Sequence, residues 1–571
     1  MDDQTEVVKI FGGPGTGKTT TIVGNSDIEN FQGILHRMFS ERDAQSVMLI
    51  AYTRAAKETA KDRLEKTTNV PRNILAWRIT TIHGLTMRMN NVKPDDIVEL
   101  RWGKGDRQEF CNLVGLEYSN TSDDDDDIMD TPDDDGHLFF RMLGWLKANM
   151  LPMEEWDQCP VASEWQYGDE FVDFQAEWLN YKIEEEIWEF DDVIKQSVEE
   201  EHTVEADDLF VDEVQDLYPL QQAFLDNQFG VVDRIWLAGD DDQTIFEWSG
   251  ANPDYFINME GRLNGDLRDE LWDDKQGYWA DEGVYILDQS FRMPKRILEL
   301  SQMCIERVSV RQEKTIKPHT EGGEFIALPE KDMGRIIRLL NLDDSFCLFR
   351  SNHLANQFGK ELLEEGVPFE DRFKTWRDET VKVRNAMSAL YNEEPIGGDD
   401  AAQVISYLDD NLIMSSNTSS LASKYTTQET VDPNELVNKV RLDYPKYKRH
   451  LDRWMDTMDD LNYYQQMGVR NNIVKNRDHL DPDGLIVETI HWSKGREADT
   501  VLLSMDTTNS VMQNCPGFEP NDAERRLCYV GMTRTERRLI MAENIDEYAP
   551  TWRISDFLGS QWRERHDYLS V

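Results

Sequence analysis

The chain has 571 residues and a mass of 66.6 kDa, which is too long for one hydrophobic core and predicts about three or four domains. Hydrophobic residues make up 39% and aromatic residues 10% of the sequence, which excludes a largely disordered chain. The formal net charge of −50 and the pI near 4.5 exclude a broadly basic surface. Proteins that bind an acidic polymer usually have such a surface.

Neither membrane insertion nor secretion is predicted. No stretch of about 18 uncharged apolar residues occurs, and the N-terminal MDDQTEVVKIF lacks a basic segment followed by a long apolar run. The cysteines are scattered without a Cys-x-x-Cys pair, so we interpret them as reduced thiols and not as zinc ligands. We therefore expect a cytoplasmic protein with no membrane contact.

Short apolar runs of strand length recur along the chain, each followed by a polar turn. A first set occupies residues 7–11, 46–52, 208–213 and 234–240. A second set occupies residues 283–288, 345–351, 485–490 and 500–505. Apolar strands of this kind are typical of parallel sheets that helices cover on both faces. The sequence therefore predicts an α/β fold with two parallel-sheet domains.

Two stretches outside these runs are interpreted as inserted helical subdomains, 91–205 and 372–482. The first contains the acidic run Ser122–Gly136, which cannot bury apolar area and predicts a solvated loop. The first sheet domain is then expected to comprise 1–90 with 206–280, and the second to comprise 281–371 with 483–571.

The string GGPGTGKT lies between the first apolar run and a helical segment, as a phosphate-binding loop requires. Glycines let backbone N–H groups converge on phosphate oxygens. Lys18 is predicted to hold the β- and γ-phosphates and Thr19 to bind Mg²⁺. The pattern predicts a nucleoside triphosphatase that uses Mg²⁺, without indicating which base the nucleotide carries. Its predicted nucleotide-binding residues are Gly12, Gly13, Pro14, Gly15, Thr16, Gly17, Lys18, Thr19 and Thr20.

Two adjacent carboxylates end the apolar run 208–213. One carboxylate can bind the metal while the other activates water. We assign Asp212 to Mg²⁺ coordination and Glu213 to orienting and polarising the attacking water. In so acidic a chain an Asp-Glu pair is commonly only solvated, but its place after a strand favours the catalytic interpretation.

The string VDEVQD (211–216) resembles motif II of the UvrD/Rep/PcrA helicases, which belong to superfamily 1 of the DNA helicases. Further strings resemble other motifs of that family in the same order: 51–58, 80–85, 239–251, 287–292, 347–352, 489–499 and 524–535. The resemblance covers both predicted sheet domains and leaves only the insertions without counterparts. It implies two RecA-like parallel-sheet domains of the P-loop NTPase type, each carrying a mainly helical insertion, with ATP between them.

The resemblance also implies roles for residues around ATP. Arg292 and Arg534 would reach the γ-phosphate from the second domain, and Gln243 would sense it from the first. Charge that develops on the transferred phosphoryl group favours a planar, permanently charged donor such as arginine. Phe291 would stack on adenine, and Glu497 would contact the ribose.

DNA-contacting residues follow from the same motifs, and aromatic faces among them can stack on bases of any sequence. The resemblance implies 3′-to-5′ movement on single-stranded DNA, with strand separation coupled to ATP hydrolysis. The expected partners are single-stranded and tailed duplex DNA together with replication or repair proteins, and a monomer is expected. The implied DNA-binding residues are Tyr52, Thr53, His83, Phe246, Trp248 and His491.

The acidity of the chain conflicts with DNA binding unless the solvent screens it. At molar salt the Debye length is about 3 Å, so acidic surfaces no longer repel DNA at range. We therefore expect a haloarchaeal or viral protein adapted to high salt. The alternative is an acidic protein that needs no special solvent.

Other functions stay open at the level of sequence. The phosphate loop alone also fits an ATPase that loads clamps or packages DNA, although such machines lack the strings 239–251 and 524–535. The second insertion is short for the family, which leaves a translocase without processive unwinding as an alternative. A scaffold with a vestigial nucleotide site is disfavoured because every required residue type is present.

Overall fold

The computed structural model describes residues 5–24, 33–41, 43–101, 105–119, 134–263, 277–370, 376–414, 417–440, 454, 457–458, 461–475, 484–560 and 562. The chain divides into two compact units. The first unit comprises residues 1–323 and 520–533, and the second comprises 324–519 and 534–571. Most of the predicted acidic loop lies outside the described residues.

The first unit is built on a mixed sheet with mostly parallel strands. Among the described residues its order is β3-β2-β4-β5-β1-β7-β6, with only β6 antiparallel to its neighbour. The strands are β1 (Glu6–Gly12), β2 (Val47–Ile50), β3 (Ile79–Thr80), β4 (Asp208–Val211), β5 (Arg234–Gly239), β6 (Gly277–Asp281) and β7 (Val284–Leu287).

The central strand β1 is buried on both faces of the sheet. Val7 and Phe11 contribute to one apolar core, while Val8 and Ile10 contribute to the core on the opposite face. This alternation follows from the two-residue period of a strand. A continuous apolar run is therefore what a central parallel strand requires.

Helices cover the sheet of the first unit and form its insertion. The α-helices within the described part of this unit are Lys18–Val23, Ile34–Glu41, Arg54–Thr67, Arg72–Arg78, Ile82–Met89, Asp106–Val114, Asp135–Ala148, Glu170–Glu185, Phe190–Glu199, Pro219–Asp226, Pro253–Asn258, Lys295–Ile305 and Asp522–Met532. The insertion has its own core, rich in aromatic rings such as Phe139, Phe171 and Trp178. Residues 91–205 are thus mainly helical where the structure describes them.

The prediction that the run 283–288 belongs to the second sheet is wrong. Strand β7 pairs in parallel with β1, with Gly12 opposite Leu287. An apolar strand carries no local signal for the sheet that it joins, because pairing is decided by distant residues. The turn that follows β7 therefore lies beside the end of β1.

The second unit contains a parallel sheet in the order β12-β9-β13-β14-β8 where the structure describes it. Its strands are β8 (Glu324–Leu328), β9 (Ser345–Phe349), β12 (Leu485–Thr489), β13 (Ala498–Ser504) and β14 (Thr535–Ala542), and a separate antiparallel pair consists of β10 (Ile396–Gly397) and β11 (Thr430–Val431). Its described α-helices are Met333–Leu339, Asn352–Glu364, Asp378–Asn392, Gly398–Ser406, Thr418–Tyr425, Pro433–Val437, Tyr463–Val474, Asn509–Gln513 and Ile554–Leu558. One continuous apolar core joins this sheet to the helices. The chain is therefore a mixed α/β protein with parallel-strand sheets.

Among the described residues, no helix combines the length and the apolar character needed to cross a bilayer.

Candidate functional site

The predicted site residues of the first unit gather at one edge of its sheet. Strands β1, β4, β5 and β7 run parallel, and Phe11 is in register with Gly239 while Gly12 is in register with Leu287. Carboxyl ends of parallel strands share one edge of a sheet, where α/β proteins commonly bind ligands. The segments that follow these four strands therefore meet at this edge.

The phosphate loop follows β1, and its glycines meet steric needs that other residues cannot. Gly15 and Gly17 have φ angles of 69° and 79°, in the left-handed region that favours glycine. A Cβ on Gly12 would lie 2.4 Å from Thr16 Oγ1. Lys18 Nζ donates a hydrogen bond to the carbonyl of Gly12 over 2.8 Å, which holds the ammonium group against the loop.

Thr19 and Asp212 are brought together, as an oxygen-rich metal site requires. The Thr19 hydroxyl donates to Asp212 Oδ2 over 3.2 Å. Neighbouring ligands of an octahedral Mg²⁺ ion lie about 2.9 Å apart, so this pair fits such an ion after a small adjustment. Burial raises the pKa of Asp212 to about 7, and the charge of Glu213 adds to this effect. A divalent cation would favour the ionised carboxylate.

Glu213 occupies an unusual backbone conformation directly after the metal-binding candidate. Its φ angle is 55°, a left-handed conformation that costs a non-glycine residue on the order of 1 kcal/mol. Gln215 Nε2 donates to Glu213 Oε2 over 2.6 Å. Gln215 Oε1 accepts from the backbone N–H of Asp240 over 2.9 Å. Gln215, to which we assigned no role from the sequence, thus joins the loop after β4 to the loop after β5.

Gln243 lies in a one-turn helix after β5, with 6% of its surface exposed. Its side-chain Nε2 donates to Asp240 Oδ2 over 2.6 Å. Burial acts to raise the pKa of Asp240, but the charges of Lys314 and Lys18 outweigh it and lower the pKa. Gln243 is therefore oriented by a carboxylate that stays ionised, and the ammonium of Lys18 acts on the same carboxylate.

Phe291 and Arg292 lie beside the phosphate loop within the first unit. The backbone N–H of Phe291 donates to Gly15 O over 2.7 Å, and a Cβ on Gly15 would lie 2.5 Å from Arg292 Cβ. Phe291 is 48% exposed, so this residue is accessible to a ligand. Arg292 Nη1 donates to Thr533 O over 3.3 Å. The prediction that Arg292 belongs to the second domain is wrong, because β7 pairs with β1 and carries Arg292 into the first unit.

The candidate DNA-contacting residues of the first unit follow β2, β3 and β5. The rings of Tyr52 and Phe246 are stacked with centroids 6.4 Å apart. Burial, together with the charge of Arg54, lowers the pKa of His83 to about 4, so its ring is neutral at physiological pH. The Thr53 hydroxyl accepts from the N–H of Ala56 and caps the helix Arg54–Thr67, which accounts for this residue without DNA. The side chain of Trp248 lies outside the described part of the structure.

Phe190 is an aromatic residue beside this group that we did not single out from the sequence. Its ring centroid lies 4.6 Å from that of His83. The residue after it, Asp191, accepts from the hydroxyl of Tyr218 over 2.6 Å. Phe190 begins a helix of the insertion, so its approach to His83 depends on long-range packing. The sequence feature that could have pointed to Phe190 is its position as an aromatic residue among acidic ones, in the string WEFDD.

Three predicted residues lie in the second unit, at opposite ends of its strands. Glu497 and Arg534 directly precede β13 and β14, which are neighbours with Ala498 opposite Thr535. Arg534 is 1% exposed, and its Nη1 donates to Arg496 O over 3.4 Å. His491 follows β12 and lies near the carboxyl end of that strand. Glu497 and Arg534 therefore share one edge of this sheet, and His491 lies toward the other.

Comparison with known proteins finds similarity to helicases in each case. Residues 2–264 match the family model of the UvrD/REP helicase N-terminal domain. The chain is 26% identical over 177 residues to the probable DNA helicase II homolog of Mycoplasma capricolum, an alignment that covers 29% of this chain and 22% of that relative.

Two further relatives align along most of the chain. The ATP-dependent DNA helicase Rep of Buchnera aphidicola is 20% identical over 630 aligned positions, which cover 93% of this chain and 91% of that relative. The ATP-dependent DNA helicase UvrD2 of Mycobacterium bovis is 21% identical over 593 positions, which cover 94% and 76%. The chain is therefore similar to helicases of the UvrD/Rep/PcrA type along most of its length, and residues 2–264 resemble the N-terminal domain of that family.

Proposed function

We propose that this protein is an ATP-dependent DNA helicase that moves 3′-to-5′ on single-stranded DNA and couples ATP hydrolysis to strand separation. The observation that carries the proposal is that Lys18, the Thr19–Asp212 pair, Glu213 and Gln243 lie at the same edge of the sheet of the first unit. DNA is proposed as the substrate because the similar proteins are named ATP-dependent DNA helicases. Both sheet units are proposed to be RecA-like. The inserted helical subdomains are proposed to span residues 91–205 and 372–482, as in the sequence analysis.

In this proposal the chain binds MgATP with residues that gather at one edge of the sheet of the first unit. Thr19 and Asp212 hold the metal, which supplies positive charge to the phosphates. Lys18 holds the β- and γ-phosphates, and Glu213 orients the attacking water and accepts its proton.

Further residues recognise the nucleotide. Gln243 contacts the γ-phosphate, while Arg292 and Arg534 stabilise charge on the transferred phosphoryl group. Phe291 stacks on adenine, and Glu497 contacts the ribose. The exposure of Phe291 supports the first of these two contacts.

Single-stranded DNA is proposed to contact the aromatic group that follows β2, β3 and β5. Tyr52, His83, Phe246 and Trp248 are assigned to it, with Phe190 added because its ring lies against His83. Thr53 and His491 complete the assignment. The protein is proposed to act as a monomer in DNA repair or replication.

Unwinding of tailed duplexes tests the proposed function. Duplexes with a 3′ tail, a 5′ tail or blunt ends are incubated with the full chain and MgATP, and strand release is followed by gel or fluorescence. We expect release from the 3′-tailed duplex only, and none when ADP replaces ATP. Release from the 5′-tailed duplex alone would overturn the polarity. ATP hydrolysis that single-stranded DNA does not stimulate would overturn the helicase assignment.

Adaptation to concentrated salt is proposed from the net charge of −50. Counterion release contributes less to DNA affinity as salt rises, so stacking must supply a larger share of it. The protein is proposed to come from a haloarchaeon or its virus. Full folding and ATPase activity only at low KCl would contradict this.

Alanine at Phe246 is expected to weaken single-stranded DNA binding at molar KCl by about tenfold or more, the size of one lost stacking contact. The measurements are DNA affinity by fluorescence anisotropy and the DNA concentration for half-maximal ATPase stimulation. Trp248→Ala is expected to abolish DNA stimulation under the same conditions. Tyr278→Ala, on the edge strand β6 and 38% exposed, serves as the control and should bind DNA as the wild type does. If single-stranded DNA stimulates the ATPase of both Phe246→Ala and Trp248→Ala as it does the wild type, the assignment of these residues to DNA binding is refuted.

A further inference from the structure

Three consecutive aspartates after β5 form a buried cluster around a lysine from another segment. Carboxylate oxygens of Asp240, Asp241 and Asp242 lie within 4.8 Å of one another, a spacing that would also suit a metal ion. Lys314 Nζ lies 3.0 Å from Asp240 Oδ1 and 3.0 Å from Asp242 Oδ2, and it also contacts Asp241. The cluster therefore already contains a cation that the chain itself supplies.

Burial makes this arrangement sensitive to the loss of any one charge. The side chains of Lys314, Asp240 and Asp241 are fully shielded from solvent. Burial alone would lower the pKa of Lys314, but the three aspartates outweigh it and hold the pKa above its usual value. Unpaired buried charges are strongly unfavourable, so the ammonium and the carboxylates constrain each other's positions.

Asp240 connects this cluster directly to Gln243. Its Oδ1 accepts from Lys314, and its Oδ2 accepts from Gln243 Nε2 over 2.6 Å. Asp240 Oδ1 also accepts from the backbone N–H of Asp242 over 3.3 Å, so the lysine and this N–H hold one oxygen while the glutamine engages the other. Rotation of the carboxylate would break the contact to Gln243, and Lys314 opposes that rotation.

The segment that carries Lys314 is anchored along the whole aspartate cluster. Arg311 donates to both carboxylate oxygens of Asp242, over 2.9 and 2.7 Å, and the backbone N–H of Gln312 donates to Asp241 Oδ2 over 2.7 Å. The same segment reaches the phosphate loop, because a Cβ on Gly13 would lie 2.2 Å from Ile316 Cδ1. The contacts of Lys314 are therefore held in place from both sides within the first unit.

We propose that Lys314 is a positioning residue, which orients Asp240 so that the side chain of Gln243 is fixed for recognition of a γ-phosphate. The inference rests on the proposed function, since it takes Gln243 as the γ-phosphate sensor. Lys314 acts through Asp240 and touches no nucleotide. Its loss therefore weakens the preference for a triphosphate over a diphosphate and leaves the diphosphate site unchanged.

The test uses the double variant Lys314→Met/Asp241→Asn in the full chain. One cation and one anion are lost together, so the net charge of the buried cluster is unchanged, and asparagine Oδ1 can still accept from the N–H of Gln312. Affinities for ADP and for a non-hydrolysable ATP analogue are measured by calorimetry. We expect the preference for the triphosphate to fall about tenfold, as for the loss of one hydrogen bond to a charged group, with ADP affinity unchanged. Turnover should fall through kcat more than through KM.

Two further variants separate positioning from stability. Gln243→Ala should lose the same preference, and adding it to the double variant should cause no further loss, because both changes remove one shared interaction. Arg234→Met is the matched control. Arg234 joins Glu6 and Asp208 at the opposite end of the same sheet, so its loss should lower the unfolding temperature and keep the preference.

Each outcome decides the inference. A double variant that keeps the wild-type preference, or additive losses with Gln243→Ala, would overturn the role of Lys314. A wild-type chain without any preference for the triphosphate would overturn it as well. A wild-type chain that prefers the triphosphate through Lys314, but whose hydrolysis does not respond to DNA, would refute the proposed function and support the inference.

Discussion

Replacing Glu213 with glutamine is expected to lower kcat for ATP hydrolysis by about 10² to 10⁴-fold, the range for loss of a general base. Glutamine keeps the size of the side chain and can still orient water, but it cannot accept a proton. Glu213 directly follows Asp212, and Gln215 Nε2 holds its carboxylate over 2.6 Å. Single-turnover hydrolysis and calorimetric ATP binding are the measurements. Binding should persist, because the phosphate loop is unchanged.

Asp208→Asn provides the matched control for Glu213→Gln. Asp208 begins the same strand, β4, and accepts from Arg234 and from Trp236 Nε1, each over 2.9 Å. Its replacement should lower the free energy of unfolding, because buried charged hydrogen bonds are weakened. Turnover should stay at the wild-type level. Equal losses of kcat in the two variants would show that Glu213 acts only through stability.

Replacing Lys18 with alanine is expected to reduce kcat/KM for ATP by about 10³-fold, as for a preorganised cation that stabilises charge on a transferring group. The ammonium donates to Gly12 O, and its charge opposes the rise that burial causes in the pKa of Asp212 and helps to lower the pKa of Asp240. Lys18 thus acts on the metal-binding candidate and on the carboxylate that orients Gln243. Steady-state hydrolysis with and without single-stranded DNA is the measurement.

Lys61→Met is the control for the lysine substitution. Lys61 is 8% exposed and pairs with Glu58 on the helix Arg54–Thr67, away from the phosphate loop in sequence. We expect wild-type kcat/KM in this variant. Hydrolysis by Lys18→Ala at the wild-type rate would contradict the assignment of the phosphate loop.

The sequence predicted the local secondary structure around the candidate site, because strands and turns leave a pattern in adjacent residues. The phosphate loop lies between a strand and a helix as predicted, and Asp212 and Glu213 directly follow a buried strand. The contact of Thr19 with Asp212 also agrees with the metal-binding assignment. In each case the strand places its next residues at the sheet edge, so a local pattern is enough.

Other parts depended on pairing between distant segments. Strand β7 was predicted for the wrong sheet, and with it Arg292 was predicted for the wrong unit. Phe190 and Lys314 were not singled out, because neither the string WEFDD nor a lone lysine indicates which distant residues it will contact. Only in the folded chain does Phe190 lie against His83. In the same way, Lys314 contacts the carboxylates of residues 240–242 only after folding.

The residues proposed to bind and hydrolyse the nucleotide could be named from short local strings, since the glycines, Lys18 and Thr19 of GGPGTGKT and the pair Asp212–Glu213 each lie within a few positions of one another. Which sheet each strand joins, and which charges share a buried space, became visible only in the folded chain. The physical reason is that strand pairing and burial of charge are long-range properties. Their free energy depends on residues hundreds of positions apart, which no local spacing records.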